Sequence, residues 1–215
     1  MLVIFTMVVI EAENNISFLK TQLLANYVFT DELSSLSLSE MTPDFDPFIR
    51  EIIEAKEFSA KDGTICVIHN IAGSGIKRAL LLGMGDKKNL NPEKTRNLTG
   101  KVVKKSKELG ISEFVLNPFI RINKDHLSAL VEGIKLTDYS FDNYKREKDG
   151  NELSHIRILL RNDLENNKKI IQQSAVVSDA VIFSRNLSNL PPNDCSPKDL
   201  ATFAMDLSKS QKLRV

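Results

Sequence analysis

Apolar residues follow two different spacings along this chain of 215 residues. Short runs rich in Val, Ile and Leu predict β-strands, which lie at residues 1–10, 64–69, 76–82, 112–116 and 155–160. Between these runs, apolar residues recur every three or four positions, a spacing that predicts amphipathic helices. The helices span residues 46–56, 92–109 and 124–136, and a longer one begins after Asn166.

The alternation of strands and helices predicts an α/β fold, with a mixed, mostly parallel sheet and helices on both faces. The turn from Gly73 to Gly75 is too short for a crossover helix, so the strands on its two sides are expected to pair antiparallel. The helix after Asn166 is apolar around much of its surface, as expected for a helix between two domains. The predicted divisions are an amino-terminal α/β domain at 1–163, an interdomain linker helix at 164–187 and a segment of a second domain at 188–215.

The first ten residues, Met1 to Ile10, are strongly apolar. They lack the basic start and the small-residue cleavage site of a signal peptide, and they are far shorter than the ~20 residues of a membrane-spanning helix. We interpret them as a strand buried under helices on both faces. The sequence therefore predicts no membrane partner.

The charges of the chain nearly cancel, with 29 basic and 28 acidic residues. A broad field that attracts nucleic acid is therefore not expected, and a nucleic-acid partner is disfavoured. Hydrophobic residues make up 42% of the chain, enough for a sizeable core. The two cysteines, Cys66 and Cys195, lie far apart and form no disulfide framework, which favours a cytoplasmic location.

Three kinds of candidate site occur, and each has a simpler structural interpretation. The pairs Gly73/Gly75 and Gly83/Gly85 could cradle a phosphate at strand ends, but they lack a full dinucleotide or P-loop motif, so turn geometry is favoured. Cys195 has no histidine near it in sequence to act as a base. The histidines form no metal-ligand pattern; they are His69, His126 and His155. We predict no catalytic, metal-binding or cofactor-binding residue in this chain.

The segment from Ser184 to Ala204 predicts a helix, a tight turn rich in Pro and Asn, and a second helix that Ser196 caps. Taken whole, it resembles the signature that opens the catalytic domain of the leucine (cytosol) aminopeptidase family. The positions in register with that signature include Arg185, Asn189, Pro191, Asn193 and Pro197.

Two upstream segments extend the resemblance in the same order. Residues 131–145 resemble the family's Glu-Gly-x-x-Leu-x-x-Tyr-x-Phe-x-x-Tyr-Lys motif, which closes its amino-terminal domain. The matching residues are Glu132, Gly133, Tyr139, Phe141, Tyr144 and Lys145. Residues 79–85 resemble the family's Leu-Leu-Val-Gly-Leu-Gly strand, with Gly83 and Gly85 at its glycines. We interpret the motif residues of all three segments as structural.

The resemblance implies a macro-domain-like amino-terminal domain of a metalloaminopeptidase. In the full-length enzyme, two divalent ions, zinc or manganese, would activate a water that releases the amino-terminal residue of a peptide. The resemblance also implies a homohexamer, with the metal ligands in a carboxy-terminal domain that contains an Asn-Thr-Asp-Ala-Glu-Gly-Arg segment. No such segment occurs here. We therefore expect a non-catalytic amino-terminal domain followed by the first segment of a truncated catalytic domain, inactive alone and a monomer or weak dimer.

Two alternatives stay open. The chain could be a free-standing macro-like domain that binds a nucleotide-type ligand, although similarity of fold is a weak warrant for function. It could also be an interaction or nucleic-acid-binding module, which the balanced charge does not favour.

Overall fold

The computed structural model describes residues 8–13, 20–35, 46–69, 71, 75–118, 122–146, 152–160 and 163–211. The strands are β1 Val9–Glu13, β2 Leu24–Val28, β3 Ile65–His69, β4 Arg78–Gly83, β5 Glu113–Asn117 and β6 His155–Leu159. The helices are α1 Asp46–Glu54, α2 Pro92–Glu108, α3 Lys124–Asp138, α4 Leu164–Asn189 and α5 Pro197–Gln211.

The strands form one sheet in the order β1-β6-β5-β2-β4-β3. Neighbouring strands are parallel, except that β3 and β4 pair antiparallel. The short connection between β3 and β4 leaves no room for a crossover helix, which forces this one antiparallel pair. The structure thus confirms the predicted mixed, mostly parallel sheet and the position of its antiparallel pair.

Two strands differ from the sequence prediction. The pattern does not predict β2, because the polar Asn26 interrupts its short apolar run. β1 begins at Val9, and residues 1–7 lie outside the described ranges. Within those ranges β1 pairs with β6 alone; Val8 is buried and Val9 is 50% exposed. Most of the predicted strand at residues 1–10 therefore lies outside the described residues, and its burial on both faces stays a prediction.

Helices cover both faces of the sheet, as predicted. On one face, α2, α3 and the start of α4 pack against alternate residues of the strands. This cluster includes Tyr27, Leu80, Leu82, Val102, Leu116, Leu130, Ile134, Ile156, Ile158 and Ile170. On the opposite face, Ile49 of α1 packs with Val28, Ala79 and Leu81. Full burial of each large aliphatic side chain contributes about 1.5–3 kcal/mol, so these two clusters hold the layers together.

Local sequence signals start the two central helices. The side chain of Asn91 accepts a hydrogen bond from the backbone N–H of Lys94 at 2.8 Å, and Pro92 occupies the first turn of α2. Asn123 accepts in the same way from the N–H of His126 at 3.0 Å at the start of α3. Each asparagine satisfies a backbone donor that the helix itself leaves unpaired.

The chain divides into two compact units, Met1–Ser178 and Asp179–Val215. The first holds the sheet, α1 to α3 and the first half of α4; the second holds the end of α4 and α5. This division falls inside the predicted linker helix, and the predicted domain boundaries stay a prediction. Within the described ranges, no helix is long and apolar enough to cross a lipid bilayer.

Candidate functional site

The turn that contains Gly83 and Gly85 turns its backbone donors inward. The N–H of Gly83 donates to the oxygen of Thr64, and the N–H of Gly85 donates to that of Ala60, both at 2.8 Å. Gly85 has a φ of +66°, a conformation that favours glycine, and a Cβ at Gly83 would lie 2.1 Å from the oxygen of Lys61. Glycine therefore meets a steric need here, and these donors are already used within the protein.

The second predicted glycine turn gives less information. Gly73 lies outside the described residues. The carbonyl of Gly75 accepts a hydrogen bond from the N–H of Thr21 at 3.1 Å, which ties the start of β4 to the start of β2.

Glu132 and Gly133 lie where α3 crosses α2. The Nε and Nη2 atoms of Arg96 donate to one oxygen of Glu132 at 2.7 and 2.6 Å, and Arg96 also pairs with Glu93. A Cβ at Gly133 would lie 2.6 Å from the carbonyl oxygen of Arg96. The motif residues thus let two helices approach closely and pin them with a charged pair.

The remaining residues of the same motif form the turn after α3. The backbone N–H of Tyr139 caps α3 by donating to the oxygen of Lys135 at 3.2 Å. The rings of Phe141 and Tyr144 lie 5.8 Å apart in a tilted arrangement. The Nζ of Lys145 lies 2.8 Å from a carboxylate oxygen of Asp142. The arrangement orders a surface turn, and none of these contacts involves a reactive group poised for catalysis.

The carboxy-terminal motif residues lie at the end of α4 and in the turn before α5. The carbonyl of Pro191 accepts from the N–H groups of Asp194 and Cys195 at 2.9 and 3.1 Å. Other motif residues are exposed; they are Arg185, Asn189, Asn193 and Pro197.

Ser196 and Asp199 cap α5 reciprocally, as the sequence predicted for Ser196. The N–H and hydroxyl of Ser196 donate to the carboxylate of Asp199 at 2.9 and 2.5 Å, and the N–H of Asp199 points back to the hydroxyl at 3.4 Å. These bonds from Ser196 hold the pKa of Asp199 below its ordinary value.

Histidines and cysteines are not gathered into a metal centre in the parts of the chain that the structure describes, where no group of three or more His, Cys, Asp or Glu could hold an ion. His126 bonds the hydroxyl of Thr95 at 2.8 Å, and His155 bonds Glu11 at 2.9 Å. Burial, and to a lesser extent Glu57, raises the pKa of the Cys66 thiol, which disfavours the reactive thiolate.

A cavity of about 600 Å³ opens at the amino-terminal ends of the parallel strands. Its lining residues are Lys20, Thr21, Gln22, Gly75, Lys77, Glu113, Phe114, His155 and Arg157. Sequence alone could not bring this set together, because its members come from four distant segments. The local signal is Arg157, a charged residue between two isoleucines of strand β6.

The chain matches a known protein family. A family model described as "Cytosol aminopeptidase family, N-terminal domain" matches residues 27–148. The matched range contains the first two motif segments, from Gly83 to Lys145.

Curated relatives carry the same family name. The chain is 28% identical over 196 residues to a "Probable cytosol aminopeptidase" of Cenarchaeum symbiosum and 25% identical over 191 residues to one of Persephonella marina. These alignments cover 91% and 86% of this chain. The chain spans 38% of the length of each of these relatives.

Solved structures share the fold. A tomato leucine aminopeptidase variant superposes with a TM-score of 0.78 at 19% identity, over 94% of this chain and 42% of that one. The bottromycin maturation enzyme BotP in complex with Mn gives a TM-score of 0.66 at 15% identity, over 88% of this chain and 36% of that one. At these identities the likeness establishes the architecture alone.

Proposed function

This chain belongs to the cytosol aminopeptidase family, and on that premise we propose that it is the non-catalytic amino-terminal part of a metal-dependent leucyl aminopeptidase. The observation that carries the proposal is the match of residues 27–148 to the family's N-terminal domain. The relatives that carry the aminopeptidase name are much longer than this chain. The intact protein would remove amino-terminal residues from peptides.

The proposed role of this part is architectural. Its motif residues shape a turn at Gly85 and a close helix crossing at Gly133, and Ser196, beside the motif residue Pro197, caps α5. Each of these features fixes backbone geometry, and none places a nucleophile beside a base. The catalytic groups of the intact enzyme would belong to its carboxy-terminal domain.

Two divalent ions, zinc or manganese, would supply a metal-activated water in the intact enzyme. One protein of similar fold is known in complex with Mn. Among the described residues, no three metal-binding groups come together, so we propose no ligand role for them. No step of the reaction is therefore assigned to them.

We further propose that the intact enzyme is a cytoplasmic homohexamer and that this chain alone is a monomer or weak dimer. Exposed apolar side chains support a covering domain in the intact protein. In the first unit, Val176 and Val177 of α4 are 68% and 56% exposed, and in the second unit Leu200 and Met205 of α5 are 46% and 50% exposed. Large exposed apolar side chains such as these favour, in each unit taken by itself, contact with another protein surface.

The alternative of a nucleotide-type ligand gains nothing from the predicted glycine site. The N–H groups of Gly83, Met84 and Gly85 all donate to backbone carbonyls and are not aimed at a ligand. The near-neutral charge of the chain does not favour a nucleic-acid-binding role.

The first test is the activity of the 215-residue chain itself. We expect no hydrolysis of leucine p-nitroanilide with added Mn²⁺ or Zn²⁺, and a sedimentation coefficient typical of a monomer or weak dimer. Turnover that stays with the chain through successive purification steps would overturn the assignment as a non-catalytic part. A stable hexamer at micromolar concentration would overturn the assignment of assembly to the remainder of the protein.

A further inference from the structure

The cavity at the amino-terminal ends of the strands lies on the sheet face opposite α2 and α3. Side chains alternate along a strand, and Ile156 and Ile158 pack on the α2 and α3 side. His155 and Arg157 therefore project from the other face. The strand register places Glu113 of β5 beside His155 and Glu11 of β1 beside Arg157.

This end of the face is unusual for a parallel sheet. Further along the same face, Leu24, Val115 and Leu159 form a buried apolar cluster. Faces of parallel strands are normally covered and apolar throughout. Here the cluster gives way to Arg157, which is half-buried, and to charged residues at the cavity rim.

The charges that line the cavity are mainly positive. Among the described lining residues, Lys20, Lys77 and Arg157 carry positive charge and Glu113 carries negative charge, while the carboxylate of Glu11 lies close by, 2.9 Å from the Nε2 of His155. None of these three cations forms an ion pair with a carboxylate among the described residues. The chain as a whole carries a net charge of only +1, so the local excess of positive charge is a property of this cavity.

The guanidinium of Arg157 is held in place before any ligand binds. Its Nη2 donates to the carbonyl oxygen of Lys20 at 2.9 Å, which joins β6 to the segment that enters β2. The other guanidinium N–H groups keep a planar fork that suits phosphate and carboxylate oxygens. A fixed donor loses less entropy on binding than a mobile one.

We propose that this cavity binds a small phosphate monoester. Arg157, Lys20 and Lys77 would surround the oxygens of a phosphate monoester dianion, and these three cations outnumber the carboxylates of Glu113 and of the neighbouring Glu11. A cavity of about 600 Å³ leaves room for an organic group beyond the phosphate. Gln22 and Glu113 offer acceptors to hydroxyl groups of that part. Binding of a ligand at this cavity is separate from the proposed role in peptide hydrolysis, so it can be measured on this chain alone.

The test is calorimetric titration of the 215-residue chain at pH 7.5 with ribose 5-phosphate, inorganic phosphate and ribose. We expect ribose 5-phosphate to bind more tightly than inorganic phosphate, and ribose not to bind. Arg157→Gln should weaken ribose 5-phosphate binding roughly 10- to 100-fold, as expected for the loss of a charge-assisted hydrogen bond. Lys77→Gln, at an exposed position, should weaken it by a smaller factor of about 2 to 5.

Two further variants distinguish binding at this cavity from nonspecific attraction of anions by surface charge. Lys104→Gln makes the same change of charge at an exposed position of α2, on the opposite side of the sheet, and should leave binding unchanged. Glu113→Gln removes a carboxylate from the lining of the cavity and should tighten the binding of inorganic phosphate. If the Arg157 variant loses its fold, the other two variants still test the site, because Lys77→Gln should weaken phosphate binding and Glu113→Gln should strengthen it.

Three results would overturn the proposal. The first is no saturable binding of either phosphate compound by the wild-type chain. The second is equal weakening by Lys77→Gln and Lys104→Gln, which would mean nonspecific attraction. The third is equal affinity for inorganic phosphate and ribose 5-phosphate, which would mean that the cavity recognises free phosphate and no organic part.

Discussion

Tyr27 combines complete burial with one polar contact in the centre of the sheet. Its side chain is 1% exposed, and its hydroxyl lies 2.5 Å from that of Thr99 on α2. Thr99 donates its own proton to the carbonyl oxygen of Thr95 at 2.7 Å, so Tyr27 must be the donor to Thr99. Burial raises the pKa of Tyr27 far above its ordinary value of 10.0. The neutral phenol is therefore part of the folded structure.

We predict that Tyr27→Phe destabilises the chain by an amount that depends on pH. At pH 7 the loss of the buried hydrogen bond should cost about 1 kcal/mol. Because the folded pKa is raised, the tyrosine stabilises the fold fully below its ordinary pKa of 10.0 and progressively less above it. The wild type should lose about 1.4 kcal/mol per pH unit there, so the difference should vanish near about pH 11.

Urea unfolding at both pH values measures this effect. Tyr144→Phe is the matched control, since Tyr144 is 56% exposed and the change should have little effect at either pH. A stability difference between wild type and Tyr27→Phe that is the same at neutral and alkaline pH would show that Tyr27 ionises as freely in the folded chain as in the unfolded one.

At the scale of elements, α2 and α3 are joined by close packing and by charged pairs at both ends of their contact. Glycine allows the approach at Gly133, and Arg96 binds Glu132 beside it. Toward the other end, the Nζ of Lys107 lies 2.6 Å from a carboxylate oxygen of Asp138. Shape therefore sets the distance between the helices, and the charges fix their register.

We predict that Gly133→Ala destabilises the chain by about 1–3 kcal/mol, because its methyl group would overlap the backbone oxygen of Arg96. Gly100→Ala is the matched control on the facing helix. Its Cβ would meet the hydroxyl of Thr137 at 2.6 Å, and that side chain can rotate away. The gain in helix propensity, about 0.5–1 kcal/mol, should leave Gly100→Ala near neutral. Thermal unfolding compares the stabilities of the two variants. Equal losses of stability would show that Gly133 is not needed for the close contact between α2 and α3.

The sequence predicts elements that carry their own local signal. Helices α2 and α3 have a clear apolar stripe and an asparagine at their start, and both are found close to the predicted limits. β2 escapes prediction because Asn26 breaks its apolar run. In the sheet Asn26 is fully buried, and its side chain accepts a hydrogen bond at 3.0 Å from Asn117 of β5. That partner lies 91 positions away, so local pattern cannot reveal why a polar residue is tolerated there.

The residues of the candidate cavity are even harder to predict from local sequence pattern. Lys20, Lys77 and Arg157 have no mutual spacing that a motif could record. They meet because β2, β4 and β6 run in the same direction and bring their amino-terminal ends to one edge. The motif residues, by contrast, can be picked out from sequence because they fall in three continuous segments that resemble the family's motifs.

At the scale of the whole molecule, the two units differ in how well they bury their apolar residues. The first unit contains a two-sided core around the sheet. Within the described part of α5 no side chain is fully buried, and Leu200, Met205 and Leu207 are 46%, 50% and 40% exposed. A single helix of this length is marginal in water without a packed apolar face.

We therefore predict that limited proteolysis of the 215-residue chain cuts between residues 186 and 211 well before it cuts between 64 and 160. Mass spectrometry of the early fragments identifies the sites. Equal protection of both regions in dilute solution would mean that the second unit is stable by itself, and the proposed need for a covering domain would lose its physical basis.

The most direct measurement of the central claim is aminopeptidase activity of the protein encoded by the complete reading frame that contains this sequence. We expect this protein to hydrolyse leucine p-nitroanilide, a chelator to abolish the activity and Mn²⁺ or Zn²⁺ to restore it, while the 215-residue chain is inactive in the same assay. A complete product that is pure, folded and loaded with metal yet inactive on leucine p-nitroanilide and on leucyl peptides would contradict the assignment.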